Sequence, residues 1–320
     1  MFQFIRPDIK VDFVGKRHFF VAVSVIALAA SIVLFFTKGL NYGIDFTGGA
    51  EVQIQVPHAW DIGKVRAELT TAGIKGLKVQ EIGLAGEGAG AQSAVRQFLV
   101  KAQGDAGSLN QTSSTVEQVL LKTLKKGEYE IQRVDVVGPA AGSSLRMSGF
   151  LSMLYALICI LIYVTIRFDF RYSPGAVIAL FHDAVITLGI FIITQKQFDL
   201  QVLAAILALI GYSNNDTIIV YDRVRETTQQ HPEMTIEQIV NKAINETLAR
   251  TILTSLTTFF TVFALWLLGG GVIRDFAFTL MVGLVVGTYS SVFIASTIVI
   301  SLTHFYKKRE ARQKLAGAKA

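Results

Sequence analysis

The 320-residue chain has one cysteine and five prolines. A lone Cys159 excludes an intrachain disulfide framework. Charge is scarce too, at 17% Asp, Glu, Lys and Arg, where soluble domains carry about a quarter. There is no Gly-rich loop ending in Lys-Ser/Thr, no His-Glu-x-x-His and no cysteine pair suited to zinc. These absences argue against an enzyme, a bound metal and a nucleotide cofactor. Any work must then draw on a gradient, a ligand or a partner.

Apolar sequence is abundant. Hydrophobic residues make up 52% of the chain, and the mean hydropathy is +0.48. The expected class is a polytopic α-helical membrane protein with six transmembrane helices, since about twenty apolar residues cross a bilayer. The runs place spans at 18–37, 146–166, 173–195, 200–222, 250–269 and 276–302. The first is longer than the roughly 7–15 apolar residues of a secretory signal, so a retained helix is expected. A polar arm occupies 1–17, a polar loop 223–249 and a basic tail 303–320.

Residues 38–145 form a polar insert between the first two spans. Val52, Ile54 and Val56 alternate as in a half-buried strand. Ile62, Val65, Leu69 and Ala72 share a helical stripe, as do Val116, Val119, Leu120 and Leu124. Ser113 or Ser114 is the expected cap of the second of these helices. Strands are expected near 77–84, 94–101 and 129–137, with a Gly/Ala-rich loop at 83–92. The order β-α-β-β-α-β is the ferredoxin-like plan. Gly43, Gly48 and Gly49 before it, and Gly138, Pro139 and Gly142 after it, suggest pivots.

The net charge of +6 reflects topology rather than nucleic acid. Lys and Arg gather in the N-terminal arm, at Arg167 and Arg171, at Arg223 and Arg225, and in the tail. The positive-inside rule then puts both termini in the cytoplasm and the insert outside.

Polar residues inside the spans are the candidate machinery. Asp216 follows Tyr212, Ser213, Asn214 and Asn215 in an otherwise apolar helix. An unpaired charge there costs on the order of 2.5 kcal/mol or more, and an intramembrane carboxylate is by default a proton or ion site. The plainer alternative is a polar residue that only joins helices. Arg250, Thr254, Thr257, Thr258 and Thr261 fall on one stripe of the fifth span. Arg250 can supply a partner for Asp216, or it can simply reach the headgroups while the threonines bond to their own backbone. His182 and Asp183 sit deep in the third span as secondary candidates, with Asn215. Gly283, Gly287 and Ser291 read as close helix packing.

Several motifs carry a resemblance. Gly43-Ile-Asp-Phe-Thr-Gly-Gly49, with Asp45, Gly48 and Gly49, is followed by Val137-Gly-Pro139 and Arg167-Phe-Asp-Phe-Arg171. Then come Ala179-Leu-Phe-His-Asp183, Gly211-Tyr-Ser-Asn-Asn-Asp-Thr217 through Glu226, and Leu248-Ala-Arg-Thr-Ile-Leu-Thr-Ser255. In this order they resemble the SecF branch of the SecD/SecF family of bacterial protein-export membrane proteins, in the resistance-nodulation-division superfamily. The resemblance implies a SecD-like partner, a neighbouring SecYEG-type channel and a translocating preprotein, in the lipid of the bacterial inner membrane. It implies use of the proton gradient through Asp216 and Arg250, with Thr254 a lesser contributor. A half-transporter of the same superfamily exporting a lipid or small molecule is the competing expectation, though its porter domains are usually larger than this insert.

Overall fold

The structure is a computed structural model that describes residues 10–74, 76–82, 95–102, 106–125, 128–168, 172–269 and 271–317. The Gly/Ala-rich loop expected at 83–92 and the Asp169-Phe170-Arg171 part of one motif lie outside them.

Helix α1 covers Arg17–Thr37, about 32 Å at 1.5 Å per residue, enough to cross a hydrocarbon core. A helical turn, α2 (Ile44–Thr47), leads into the insert domain. The domain then runs β1 (Gly49–Pro57), α3 (Ile62–Thr71), β2 (Lys78–Ile82), β3 (Val95–Ala102), α4 (Ala106–Thr123) and β4 (Glu130–Val137). The sheet is antiparallel in the order β2-β3-β1-β4, as the ferredoxin-like plan requires. Asp61 starts α3 by accepting a hydrogen bond from the Lys64 amide at 2.7 Å. By contrast, α4 starts at Ala106, so neither Ser113 nor Ser114 caps it.

The register explains the core. Val52 faces Val100 and Ile54 faces Phe98, and all four are fully buried beneath Val65, Leu69, Val116 and Leu120. Each such side chain contributes about 1.5–3 kcal/mol of burial.

Three of the glycines at the base of the domain, Gly48, Gly49 and Gly142, stand where backbone segments approach closely, whereas Gly138 has open space around it. Gly48 has φ +77°, and a Cβ there would lie 2.8 Å from the backbone of Pro139. A Cβ on Gly142 would lie 2.8 Å from the Gly48 amide nitrogen. Gly49 and Val137 are partners in the β1–β4 ladder, so the two ends of the domain meet at one point.

Five more long helices complete the chain: α5 (Pro139–Arg167), α6 (Ser173–Thr194), α7 (Leu200–Gln230), α8 (Ile236–Leu268) and α9 (Gly271–Ser290), the last continued by a π-helical turn at Ser291–Ala295 and by α10 (Ser296–Gly317). With α1 this gives six candidate membrane helices among the described residues. The helices outrun the apolar spans. Helix α5 begins at Pro139 rather than 146, because proline suits the first helical turn. The polar segment 223–249 is mostly helix: α7 continues to Gln230, and a Thr235–Gln238 capping box starts α8 at Ile236. Ile236, Ile239, Val240 and Ala243 hold that extension by packing with Val14, Val220 and Val224. The tail expected at 303–320 continues as helix to Gly317. Helices α6 and α7 are the most buried, whereas α1, α5 and α8 expose much of their apolar surface. Gly283 and Gly287 bring α9 against Leu209 and Ser213 of α7, the close packing that their spacing suggested.

Candidate functional site

Helix α7 brings two buried polar clusters together. In the first, Asp216 is 1% exposed. Ser255 of α8 donates to its Oδ2 at 3.2 Å, and Thr288 of α9 donates to Ser255 at 2.8 Å. Asp216 Oδ1 has no hydrogen-bond partner among the described residues. The buried Oδ1 of Asn214 and Oγ1 of Thr251 are also unpartnered. Asn215 points outward and is exposed.

Arg250 does not close this site. Its side chain is exposed, and no hydrogen bond or ion pair joins it to Asp216 among the described residues. The stripe of Thr254, Thr257, Thr258 and Thr261 bonds to carbonyls of its own helix. Only Thr258 in that stripe also reaches α7, meeting the Tyr212 hydroxyl at 3.1 Å.

The second cluster meets α7 at Ser213, three residues before Asp216 on the helix. Asp183 Oδ2 accepts from Ser213 at 2.6 Å and from Ser290 at 2.8 Å. Its Oδ1 meets His182 Nδ1 at 2.9 Å. The opposite ring nitrogen meets Ser24 of α1 at 3.1 Å, and Ser24 meets the Tyr289 hydroxyl at 2.9 Å. Tyr289 donates to the Phe20 carbonyl at 2.6 Å. The chain of contacts therefore fastens α1 to α6, α7 and α9. Thr217 and Ser291 meet at 3.0 Å, beside the π-helical turn. Such turns are frequent at functional sites.

Ser255, Thr288, Ser24, Tyr289 and Ser290 are the members that sequence reasoning missed. Ser24 and Ser31 did carry a signal. They lie seven residues apart on an apolar helix, and they are its buried residues.

The family motif at the start of the domain forms a third polar point. Asp45 Oδ2 accepts from the Leu200 amide at 2.9 Å, at the N-terminus of α7. Asp199 caps the same helix through the Val202 amide at 2.9 Å. Burial pushes the Asp199 carboxyl up to about 6, helped by Asp45 and Asp275 and opposed by the Val202 amide and Lys101. Gly48 and Gly49 sit below, against the start of α5.

A multi-pass helical bundle, with a ferredoxin-like domain after its first helix and carboxylates buried at its centre, defines a membrane protein of the transport type. The description "Protein export membrane protein SecD/SecF, C-terminal" matches residues 116–304, and "SecD/SecF GG Motif" matches residues 33–56. The chain is 43% identical to the protein translocase subunit SecF of Calditerrivibrio nitroreducens, over 96% of this chain and 98% of that one. It is 38% identical to the same subunit of Pseudomonas aeruginosa, over 91% of each. The crystal structure of SecDF, a translocon-associated membrane protein from Thermus thermophilus, superposes with a TM-score of 0.81 at 32% identity. That match covers 94% of this chain and 40% of the SecDF chain. A SecDF structure in a super-membrane-facing form gives 0.70, covering 96% and 40%. The chain belongs to the SecD/SecF family of protein export membrane proteins.

Proposed function

We propose that the chain works as the SecF-type half of a SecD–SecF accessory complex of the Sec translocase, in the bacterial cytoplasmic membrane with both termini inside. It uses the proton motive force, without a cofactor, to promote passage and release of a preprotein beside a SecYEG-type channel. A SecD-like half is supported by the SecDF chains, of which this chain matches 40%. It is also supported by the exposed polar and apolar faces of α7, α8 and α5, which a second half would cover.

The observation that carries the proton step is Asp216 itself. It is buried with one oxygen bonded to a hydroxyl, the other unpartnered, and no cation in contact. Such a carboxyl has no fixed counter-charge and so is free to change its protonation with its surroundings. Arg250, on the adjoining helix, meets Asp216 only after a helix movement, and that movement is the second state of the cycle. Each proton crossing 100 mV supplies about 2.3 kcal/mol, enough to move a two-state equilibrium more than tenfold.

The test is preprotein translocation into membrane vesicles with and without an imposed proton gradient. Asp216→Asn and Arg250→Met should both lose the gradient response while expression and SecD binding persist. A wild-type response in Asp216→Asn would show that the carboxylate only joins helices.

A further inference from the structure

Helix α7 receives two caps from different sources. Asp199, the residue just before the helix, already satisfies the Val202 amide in the ordinary local way. Asp45 satisfies the Leu200 amide from 155 residues away in sequence. Helix formation needs no cap from that distance. Its effect is to tie the turn α2, and with it the base of the insert domain, to the end of α7.

The tie is reinforced on both sides of Asp45. The Gly43 amide donates to the Phe198 carbonyl at 2.7 Å, and the Phe198 amide donates to the Asn41 carbonyl at 2.8 Å. Phe46 stacks on Phe198 at 5.5 Å between ring centroids. Below, Gly48 lies against Pro139 and Gly142 at the start of α5 with no room for a methyl group. Asp45 thus sits where the domain, α5 and α7 meet. The charged groups around this junction include Asp199, Lys101, Asp275 and Lys196, the last paired with Asp275 at 2.6 Å, together with Lys78, which donates to Asn41 at 2.6 Å, and Arg146 over the Tyr42 ring.

We propose that Asp45 is a positioning residue that couples the insert domain to the proton site: its cap makes displacement of the domain and displacement of α7 a single movement. Asp216 lies sixteen residues along α7 from Leu200, about 24 Å at 1.5 Å per residue, on one continuous helix. Movement at the domain base therefore reaches Asp216 as movement of a rod. The inference rests on Asp216 being the proton-coupling group.

The coupling depends on a short acceptor oxygen at position 45 rather than on its charge. Asp45→Asn keeps such an oxygen, and Asn caps helices as well as Asp. Asp45→Glu keeps the charge but moves the carboxylate outward by a methylene, and Asp45→Ala removes the acceptor. The readouts are gradient-driven preprotein translocation and the pH profile of carbodiimide labelling at Asp216, measured by mass spectrometry on the full chain in native membranes. Asp216→Asn gives the labelling background. Asp45→Asn should match the wild type in both readouts. Asp45→Glu and Asp45→Ala should lose most of the gradient response and shift the labelling midpoint at Asp216. A wild-type labelling profile in Asp45→Glu would overturn the inference, whatever its export rate, because Asp45 would then serve only the local fold. Failure of Asp45→Asn alongside Asp45→Glu would also overturn it. A gradient response retained in Asp216→Asn would overturn the proton-site reading, and this inference with it.

Discussion

Replacing Gly142 by alanine sets two effects of known size against each other. Gly142 lies in the first turn of α5, where alanine is favoured over glycine by about 0.8–1.0 kcal/mol on helix propensity. The added Cβ, however, would lie 2.8 Å from the Gly48 nitrogen and 3.1 and 3.2 Å from the Phe46 carbonyl carbon and oxygen. All three are backbone atoms, so no side chain can rotate away. Reaching ordinary contact at 3.4 Å requires α5 and the domain base to part by about 0.6 Å. Overpacking of this kind costs about 1–3 kcal/mol, which leaves a net loss of about 1 kcal/mol after the propensity gain. For a unit of 60–100 residues that corresponds to a fall of about 4–8 °C in the melting temperature. The assay is thermal unfolding of the purified full chain, with Gly63→Ala as the control. Gly63 lies in the first turn of α3 with only the Asp61 side chain nearby, so the same substitution should stabilise there. A Gly142→Ala protein that melts at or above wild type would refute the close-approach reading of the domain base.

Burial raises the Asp199 carboxyl to about 6, above the unfolded value of 3.8, so its contribution to stability is full below pH 3.8 and is lost as pH rises through about 6. Asp199→Asn keeps the cap and should flatten this pH dependence in thermal melts, gaining up to about 3 kcal/mol at pH 7.5 before solvent screening. Phe98→Ala should destabilise the insert domain by about 3–5 kcal/mol, read by chemical denaturation. Single cysteines at Ser108 and Lys314, in a chain lacking Cys159, should label from opposite sides of the membrane; labelling of both from one side would refute the proposed orientation.

The parts of the fold legible in the sequence were those set by one element at a time. The alternation of Val52, Ile54 and Val56 and the stripes at Val65–Leu69 and Val116–Leu120 appear directly as the core of the domain. The burial of Asp216, His182 and Asp183 was also legible, because a charged residue in an apolar run must turn inward. What joins them was not. The partners Ser24, Ser255, Thr288 and Ser290 depend on how helices rotate against one another, and local periodicity carries no rotation between helices. Arg250 illustrates this: its depth suits Asp216, but its rotation on α8 leaves it exposed. Helix ends were misplaced for a related reason. Hydropathy bounds the apolar spans, whereas α7 runs on to Gln230 and α8 already starts at Ile236, where Ile236, Ile239, Val240 and Ala243 give an amphipathic stripe outside those bounds.

The open face of the sheet has one further property. Gln132 stands at the irregular step in the β1–β4 ladder, where Gln53 faces Arg133 and Ile54 faces Ile131. Its amide accepts from Gln53 at 2.7 Å and donates to Gln55 at 2.6 Å. Primary amides neither gain nor lose protons in any habitable medium, and without net charge their bonds are not screened by salt. This patch therefore keeps one chemical character however acid or saline the compartment it faces. The Asp199 carboxyl, at the base on which the domain rests, answers to pH. One small domain thus presents an amide cluster indifferent to its surroundings and rests on a base that senses them.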